Sequence, residues 1–253
     1  MLTRSVLRNK YLFGAEETMK TKRSYDYLLV NAKKNRGLID FNKNDDDDDD
    51  DVVNSSPFKF TKLFNQNDTD VYSEKNHIYF KTDVTEESIN KLAHEVDNVN
   101  NKIKMIVNKE SYGILTPNPI ILHITTRGGD LLSGFFGYDV IKNSTIPIHT
   151  IIEGNVASAG SLLSIAGSRR YITENSHILI HQLRTGMFGT YQELKDEKQN
   201  CNKFMNKLIG LYHSNCNNKM TKTEIREILK HDLFWDSTKA LEQGLVDDIW
   251  TNS

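Results

Sequence analysis

Two side chains that could act together as nucleophile and base lie at the ends of neighbouring predicted elements. Ser158 lies near the first turn of a predicted helix from Ala157 to Ala166, which follows a β-branched strand from Ile146 to Ile152. His181 ends a second apolar run, Ile178-Leu179-Ile180. A serine hydroxyl is a weak nucleophile that needs a base within hydrogen-bonding reach, and unpaired N–H groups at a helix start can stabilise a developing oxyanion. The pattern is that of nucleophilic catalysis.

The elements that must position these residues alternate between strand and helix. A short strand at 77–80 is predicted to begin the folded body, and apolar residues three and four apart from Val84 to Val107 predict an amphipathic helix. Strands are predicted at 120–124 and 146–152, the second of them broken by Gly154-Asn155. This order implies right-handed crossovers and a mostly parallel sheet.

The last third of the chain is predicted to be largely helical. A long helical pattern begins at Gln192 after a polar, glycine-containing segment. Thr221 and Glu224 fit a capping box, and Asp236 or Ser237 fits the cap of a final helix that Gly244 would end.

Bulk properties exclude several classes of protein. The chain has 253 residues and a formal net charge of −2, which gives no general attraction to nucleic acid or anionic membranes. No apolar run approaches the roughly 18 residues that a membrane-spanning helix needs. Cys201 and Cys216 lack a metal-binding spacing and are expected to be reduced thiols. Cytoplasmic localisation is predicted, although the basic segment 1–13 is also compatible with an organellar presequence.

The sequence around both candidate residues resembles the ClpP family of self-compartmentalised serine peptidases. Val-Ala-Ser-Ala-Gly around Ser158 stands where that family carries Ala-Ala-Ser-Met-Gly. Leu-Ile-His-Gln around His181 stands where it carries Met-Ile-His-Gln-Pro. The resemblance runs from about Ile78 to the C-terminus. It implies an α/β fold of the ClpP and crotonase type, with a handle made of a helix and a strand.

The resemblance implies roles for five residues. Ser158 would attack the peptide carbonyl, and His181 would take and return the proton. Asp232 lies in His-Asp-Leu-Phe-Trp-Asp, where the family has Arg-Asp-Arg-Phe-Leu-Ser, and would hold the imidazole. Gly129 and Ala159 would supply the N–H groups of the oxyanion hole. No metal and no cofactor is expected.

The resemblance also implies an assembly and partners. The family forms homo-oligomers, heptameric rings stacked into a tetradecamer, and hydrolyses unfolded proteins delivered by an AAA+ Clp-type unfoldase. No Gly-x-x-x-x-Gly-Lys-[Ser/Thr] motif is present here, so ATP would be used by that partner. Neither nucleic acid nor membrane is an expected partner.

Residues 1–75 match the family poorly and are predicted to form an N-terminal appendage, with the peptidase domain at 76–253. The aspartate run 45–51 is predicted to be a disordered linker, because adjacent carboxylates repel one another. Within the domain, Arg127 and Leu183 replace two prolines of the family beside the proposed site. These replacements concern loop geometry and substrate preference.

Other interpretations are open. Taken alone, Ser158 fits a small helix-start residue, His181 a core histidine, and Asp232 a capping acid. Their occurrence in the family's order favours a triad. The rivals are a non-catalytic ring subunit, a crotonase-type acyl-CoA enzyme that would use the same backbone donors, and a membrane-bound Ser-Lys peptidase.

Overall fold

The computed structural model describes residues 71–110 and 117–251, which form one sheet with helices packed against it. The strands are β1 (Val71–Glu74), β2 (His77–Phe80), β3 (Ile120–Thr126), β4 (Ile148–Ala157), β5 (Arg169–Thr173), β6 (His177–Leu179), β7 (Phe234–Trp235) and β8 (Asp248–Trp250). The helices are α1 (Glu86–Glu110), α2 (Leu131–Lys142), α3 (Gly160–Ile165), α4 (Tyr191–Asn215), α5 (Lys222–Ile228) and α6 (Ser237–Glu242).

The sheet is mostly parallel, as predicted. Its strand order is β1-β2-β3-β4-β5-β8, and β6 pairs with β4 and with β7. The β1–β2 and β6–β7 pairs are antiparallel, and the other pairs are parallel. Helices connect successive parallel strands such as β2, β3 and β4, which is the arrangement that the alternating pattern predicts.

The sheet begins earlier than the sequence pattern indicates. Val71 pairs with Phe80 and Glu74 with His77, so β1 and β2 form a hairpin around Lys75 and Asn76. The predicted boundary at residue 76 therefore falls inside this hairpin. Four residues of mixed polarity give little periodicity from which to predict a strand. The linker predicted at 45–51 and the rest of residues 1–70 lie outside the described residues.

The amphipathic helix predicted over 84–107 corresponds to α1. Ile89, Leu92, Val96 and Val99 are all buried. Thr85 and Ser88 exchange side chain–backbone hydrogen bonds of 2.9 and 3.1 Å at its start, which satisfies N–H groups that a helix terminus leaves unpaired. The predicted helix and its buried face are confirmed.

Strand β4 differs from the prediction because Gly154 bends the strand and does not end it. Residues 149–152 pair with β5, whereas residues 155–157 pair with β6. Gly154 lies between these two sets with a φ of +70°. A residue without a Cβ adopts that backbone readily. The local turn preference of Gly154-Asn155 is overridden by the ladder that β6 offers beyond it.

The C-terminal helices begin at the predicted caps. Thr221 and Glu224 form a capping box at α5, and the Asp236 side chain accepts a hydrogen bond from the Lys239 N–H at α6. The handle helix is α4, but residues 180–190 contain neither helix nor strand. A strand needs a paired neighbour for its N–H and C=O groups, and none is present along this segment in the described chain. No helix of the described ranges is long and apolar enough to cross a bilayer.

Candidate active site

Ser158 occupies a strained turn between β4 and α3. Its φ is +57°, in the left-handed region that costs a non-glycine residue about 1–3 kcal/mol. The Ser158 N–H donates to the Leu179 carbonyl at 2.8 Å, and the Ser158 carbonyl accepts from the Ser161 N–H at 3.0 Å. These bonds to β6 and to α3 hold the turn. Ser158 thus lies two residues before the helix, which starts at Gly160 and not at Ala157 as predicted.

Gly128 lies directly against the serine. A Cβ added to Gly128 would stand 2.6 Å from the Ser158 Cβ and 2.5 Å from the Ala157 carbonyl oxygen. Its φ of +91° is also unfavourable for any side chain. Only glycine allows the β3–α2 loop to approach the serine this closely.

The two predicted oxyanion-hole residues lie on adjacent loops. The position of a Gly128 Cβ would be 3.1 Å from the Ala159 nitrogen. Gly129 is held by Val84, whose N–H donates to the Gly128 carbonyl and whose carbonyl accepts from the Asp130 N–H, both at 2.8 Å. Within the described ranges, neither the Gly129 N–H nor the Ala159 N–H donates a hydrogen bond. Both N–H groups therefore lack a hydrogen-bond partner in the described part of the chain.

Strand pairing brings His181 and Asp232 to the same end of the sheet. Leu179 is paired with Ala157 in β4 and with Phe234 in β7. His181 lies two residues after Leu179, and Asp232 lies two residues before Phe234 on the antiparallel neighbour. The structure therefore brings Ser158, His181 and Asp232 to the ends of three neighbouring strands.

The His181–Asp232 pair is open. His181 Nδ1 is 3.8 Å from Asp232 Oδ1, which is longer than a hydrogen bond. The imidazole is only 13% exposed, and its Nδ1 is buried without a hydrogen-bond partner among the described residues. Asp232 is 50% exposed, and its other oxygen, Oδ2, accepts a hydrogen bond from Arg184 Nη2. The structure therefore contains no hydrogen bond between His181 and Asp232.

The environment of His181 favours its neutral form. Burial lowers the pKa of the imidazole below the ordinary value, because desolvation penalises the charged ring. The Asp232 carboxylate opposes this shift and raises the pKa, whereas the Arg184 guanidinium lowers it. A neutral imidazole is the form that can accept a proton from a serine.

Sequence reasoning missed Arg184 as a neighbour of the site. It lies three residues after His181 and reaches Asp232 across the β6–β7 end. A cation so close to a predicted base was the available signal, but the contact depends on the fold. Arg127, one of the two proline replacements, pairs with Asp83 at 2.8 Å, and the other, Leu183, donates its N–H to Met205 Sδ at 3.2 Å. No cluster of three or more metal-ligating side chains occurs among residues 71–110 and 117–251.

Comparison with known proteins identifies the family of this molecule. A family model described as Clp protease matches residues 66–253, which is most of the chain. The chain therefore belongs to the Clp protease family, and the resemblance inferred from the motifs is confirmed.

Curated relatives have the same description. An ATP-dependent Clp protease proteolytic subunit 2 of Treponema denticola is 34% identical over 142 residues, which cover 53% of this chain and 67% of the relative. A subunit 1 of Protochlamydia amoebophila is 35% identical over 135 residues, covering 52% and 65%. A subunit 2 of Treponema pallidum is 32% identical over 133 residues, covering 52% and 66%. The chain thus spans about two thirds of the length of these relatives.

Proposed function

We propose that this chain is a serine endopeptidase subunit in which Ser158, His181 and Asp232 form the catalytic triad. The observation that carries the proposal is the strand register at the site. Because Leu179 pairs with both Ala157 and Phe234, the serine, the histidine and the aspartate follow or precede paired positions on three neighbouring strands. The left-handed backbone of Ser158 supports it, since strain of this kind concentrates at functional sites.

The chemistry follows from the type and environment of each residue. Ser158 Oγ attacks the scissile carbonyl, and neutral His181 takes its proton. The tetrahedral oxyanion is stabilised by the N–H groups of Gly129 and Ala159, a type of interaction worth about 100- to 1,000-fold in rate per donor. His181 then returns the proton to the leaving amine. Water then attacks the acyl-enzyme and gives a proton to His181, which returns it to Ser158 Oγ as the ester bond breaks. Asp232 stabilises the imidazolium in both stages.

The relatives' names extend the proposal to the assembly. They describe proteolytic subunits of an ATP-dependent protease. No P-loop motif occurs in this chain, so we propose that a separate AAA+ unfoldase supplies ATP hydrolysis and delivers unfolded protein substrates to a homo-oligomer of this subunit. The compartment we propose for this activity is the cytoplasm.

The test is covalent labelling of the full chain with a fluorophosphonate, with the modified residue located by mass spectrometry and the oligomeric state measured in parallel. Wild type should be labelled at Ser158, and Ser158→Ala should not be labelled. Ser168→Ala is the matched control, because Ser168 is an exposed serine in the loop before β5. It should be labelled at the wild-type rate.

A non-catalytic ring subunit is the second candidate, and one observation favours it. Asp232 contacts Arg184 in place of His181, so the imidazole lacks the partner that would orient it. This candidate predicts an assembled oligomer whose Ser158 does not react with the fluorophosphonate. Such a result would overturn the peptidase proposal.

A further inference from the structure

Asp232 stands between two basic side chains and bonds to only one of them. Its Oδ2 accepts from Arg184 Nη2, whereas its Oδ1 is 3.8 Å from His181 Nδ1. The imidazole nitrogen is buried and has no other hydrogen-bond partner in the described part of the chain. A small movement of the carboxylate would close this gap. The hydrogen bond to Arg184 holds the carboxylate in its present position.

The two basic groups differ in how firmly the chain holds them. His181 lies between Leu179, which is paired on both sides, and Gln182, whose N–H donates to the Leu229 carbonyl at 2.7 Å. Arg184 follows Leu183, whose N–H donates to Met205 Sδ, and the Arg184 side chain is 70% exposed. An exposed ion pair is weak and screened by salt. The Arg184–Asp232 contact is therefore the one that can break.

We propose that Arg184 is a positioning residue that draws Asp232 away from His181, so that the base becomes oriented only when the Arg184–Asp232 contact is released. The proposal rests on the proposed function of His181 as the base. It assigns Arg184 a restraining effect on the reaction, which acts through Asp232 and needs no contact with substrate.

The charges around His181 make the effect measurable. Asp232 and Arg184 are the charged side chains that act on the imidazole, and they act in opposite directions. Removing Arg184 takes away a nearby positive charge and frees the carboxylate to accept from Nδ1–H. Both changes favour the imidazolium, so the His181 pKa should rise and His181 should become a stronger base.

The experiment compares wild type with Arg184→Ala in the full chain by two readouts. Histidines labelled with 13C at Cε1 are titrated by NMR, and the His181 signal is assigned by its loss in His181→Gln. The rate of fluorophosphonate labelling is measured from acid to mildly alkaline pH. Arg184→Ala should raise the His181 pKa and increase the plateau labelling rate roughly 10-fold. A lower labelling rate would overturn the proposal, because Arg184 would then support the site.

A double-mutant comparison separates restraint from simple charge repulsion. In an Asp232→Asn background, Arg184→Ala should no longer increase the plateau labelling rate, because no carboxylate remains to be released. If Arg184→Ala increases the rate equally in that background, Arg184 acts directly on His181 and the proposal is wrong. Arg226→Ala is the matched control, since Arg226 is an exposed arginine of α5, and it should leave both readouts unchanged.

Failure of the proposal and failure of the proposed function are distinguishable. If Ser158 is not a nucleophile, no variant will be labelled, yet the His181 titration still reports whether Arg184 acts through Asp232. If Ser158 is labelled and the titration does not depend on Arg184, the peptidase proposal holds and the role of Arg184 is rejected.

Discussion

Two pairs of a largely buried histidine and a carboxylate differ in the distance between the imidazole nitrogen and the carboxylate oxygen. His123 Nδ1 is 2.7 Å from Glu153 Oε1, and His181 Nδ1 is 3.8 Å from Asp232 Oδ1. The two imidazoles are similarly buried, at 11% and 13% exposed. The first pair is closed and hydrogen-bonded, and the second is open.

The difference follows from where the pairs lie relative to the strands. His123 and Glu153 belong to the paired strands β3 and β4, and the Thr125 hydroxyl also donates to the Glu153 carbonyl at 2.7 Å. The second pair lies beyond the ends of β6 and β7. The closed pair thus lies within two paired strands, whereas the open pair lies beyond its strands, where Arg184 competes with His181 for Asp232.

The surroundings of His123 extend the contrast. Its Nε2 is 2.9 Å from His77 Nδ1, and its ring stacks on Tyr79 with the centroids 4.6 Å apart. Both ring nitrogens of His123 are thus engaged, whereas His181 Nδ1 is not. The hydrogen bonds of His123 therefore fix its ring within the sheet, whereas the open pair leaves His181 without the partner that would orient it.

The largest expected effect is on the labelling rate when each of the two histidines is substituted. His181→Gln should reduce the rate of fluorophosphonate labelling at Ser158 about 10⁴-fold, because the serine loses its base. His123→Gln should keep a rate close to that of wild type and lower the free energy of unfolding by about 1 kcal/mol, because its hydrogen bonds are lost. Labelling kinetics and urea unfolding measure the two effects. Equal labelling of the two variants would refute the assignment of His181 as base.

The next effect leaves both pairs intact and displaces the serine. Gly128→Ala places a Cβ within 2.6 Å of the Ser158 Cβ at a φ of +91°, so the serine turn or the adjacent loop must shift. Since misplacement by about 1 Å costs about 100-fold in rate, labelling should fall by about that factor. Gly186→Ala is the control, because no atom lies within 4 Å of its added Cβ. A normal rate in Gly128→Ala would show that the close approach is not needed.

A smaller effect is expected when the two carboxylates, Glu153 and Asp232, are substituted and the two variants are compared. Glu153→Gln should lower the free energy of unfolding by about 1 kcal/mol because it removes a charged hydrogen bond, with little change in labelling. Asp232→Asn should change stability by less than about 0.5 kcal/mol, since its ion pair is exposed. Asp232→Asn should also slow labelling, but by a smaller factor than the loss of about 10⁴-fold expected where the aspartate is hydrogen-bonded to its histidine.

The control for this comparison is the Arg184→Ala background. There Asp232→Asn should slow labelling by a larger factor, because the carboxylate is free to bond His181. The prediction is wrong if Asp232→Asn destabilises the fold as much as Glu153→Gln does.

The smallest effect is a displaced pH dependence. Burial lowers the pKa of His181 below the ordinary value of 6.5, so the imidazole stays neutral to a lower pH than a free histidine does. The acid limb of the labelling rate should therefore lie below pH 6.5 in wild type. Burial also lowers the His77 pKa, and His123 lowers it further, but His77→Gln should not move that limb. A limb at or above 6.5 would contradict the burial argument.

Much of the fold was predictable because it depends on local periodicity. The spacing of Ile89, Leu92, Val96 and Val99 predicts α1 and its buried face, and Thr221 predicts a cap that the structure contains. The course of β4 was not predictable in this way. Gly154 reads as a strand end, and only the late strand β6 shows that it is a bend.

The candidate site was predictable in residue type but not in geometry. Ser158 and His181 are marked by the apolar runs that precede them, and the structure brings their strands together. The separation of Asp232 from His181 could not be predicted, because it depends on Arg184, whose contact arises where two strands end. The left-handed turn at Ser158 is likewise a product of the bonds to Leu179 and Ser161.

The pairing of β4 with β6, and of β6 with β7, has a consequence for the chain as it emerges from the ribosome. The serine turn at the end of β4 is held by β6, and β6 is in turn held by β7, which is translated much later. A partly synthesised chain therefore has its serine before it has the strands that would supply a base and an orienting acid. On the proposed function, a nascent chain cannot complete the triad until the segment that carries Asp232 and β7 has been translated.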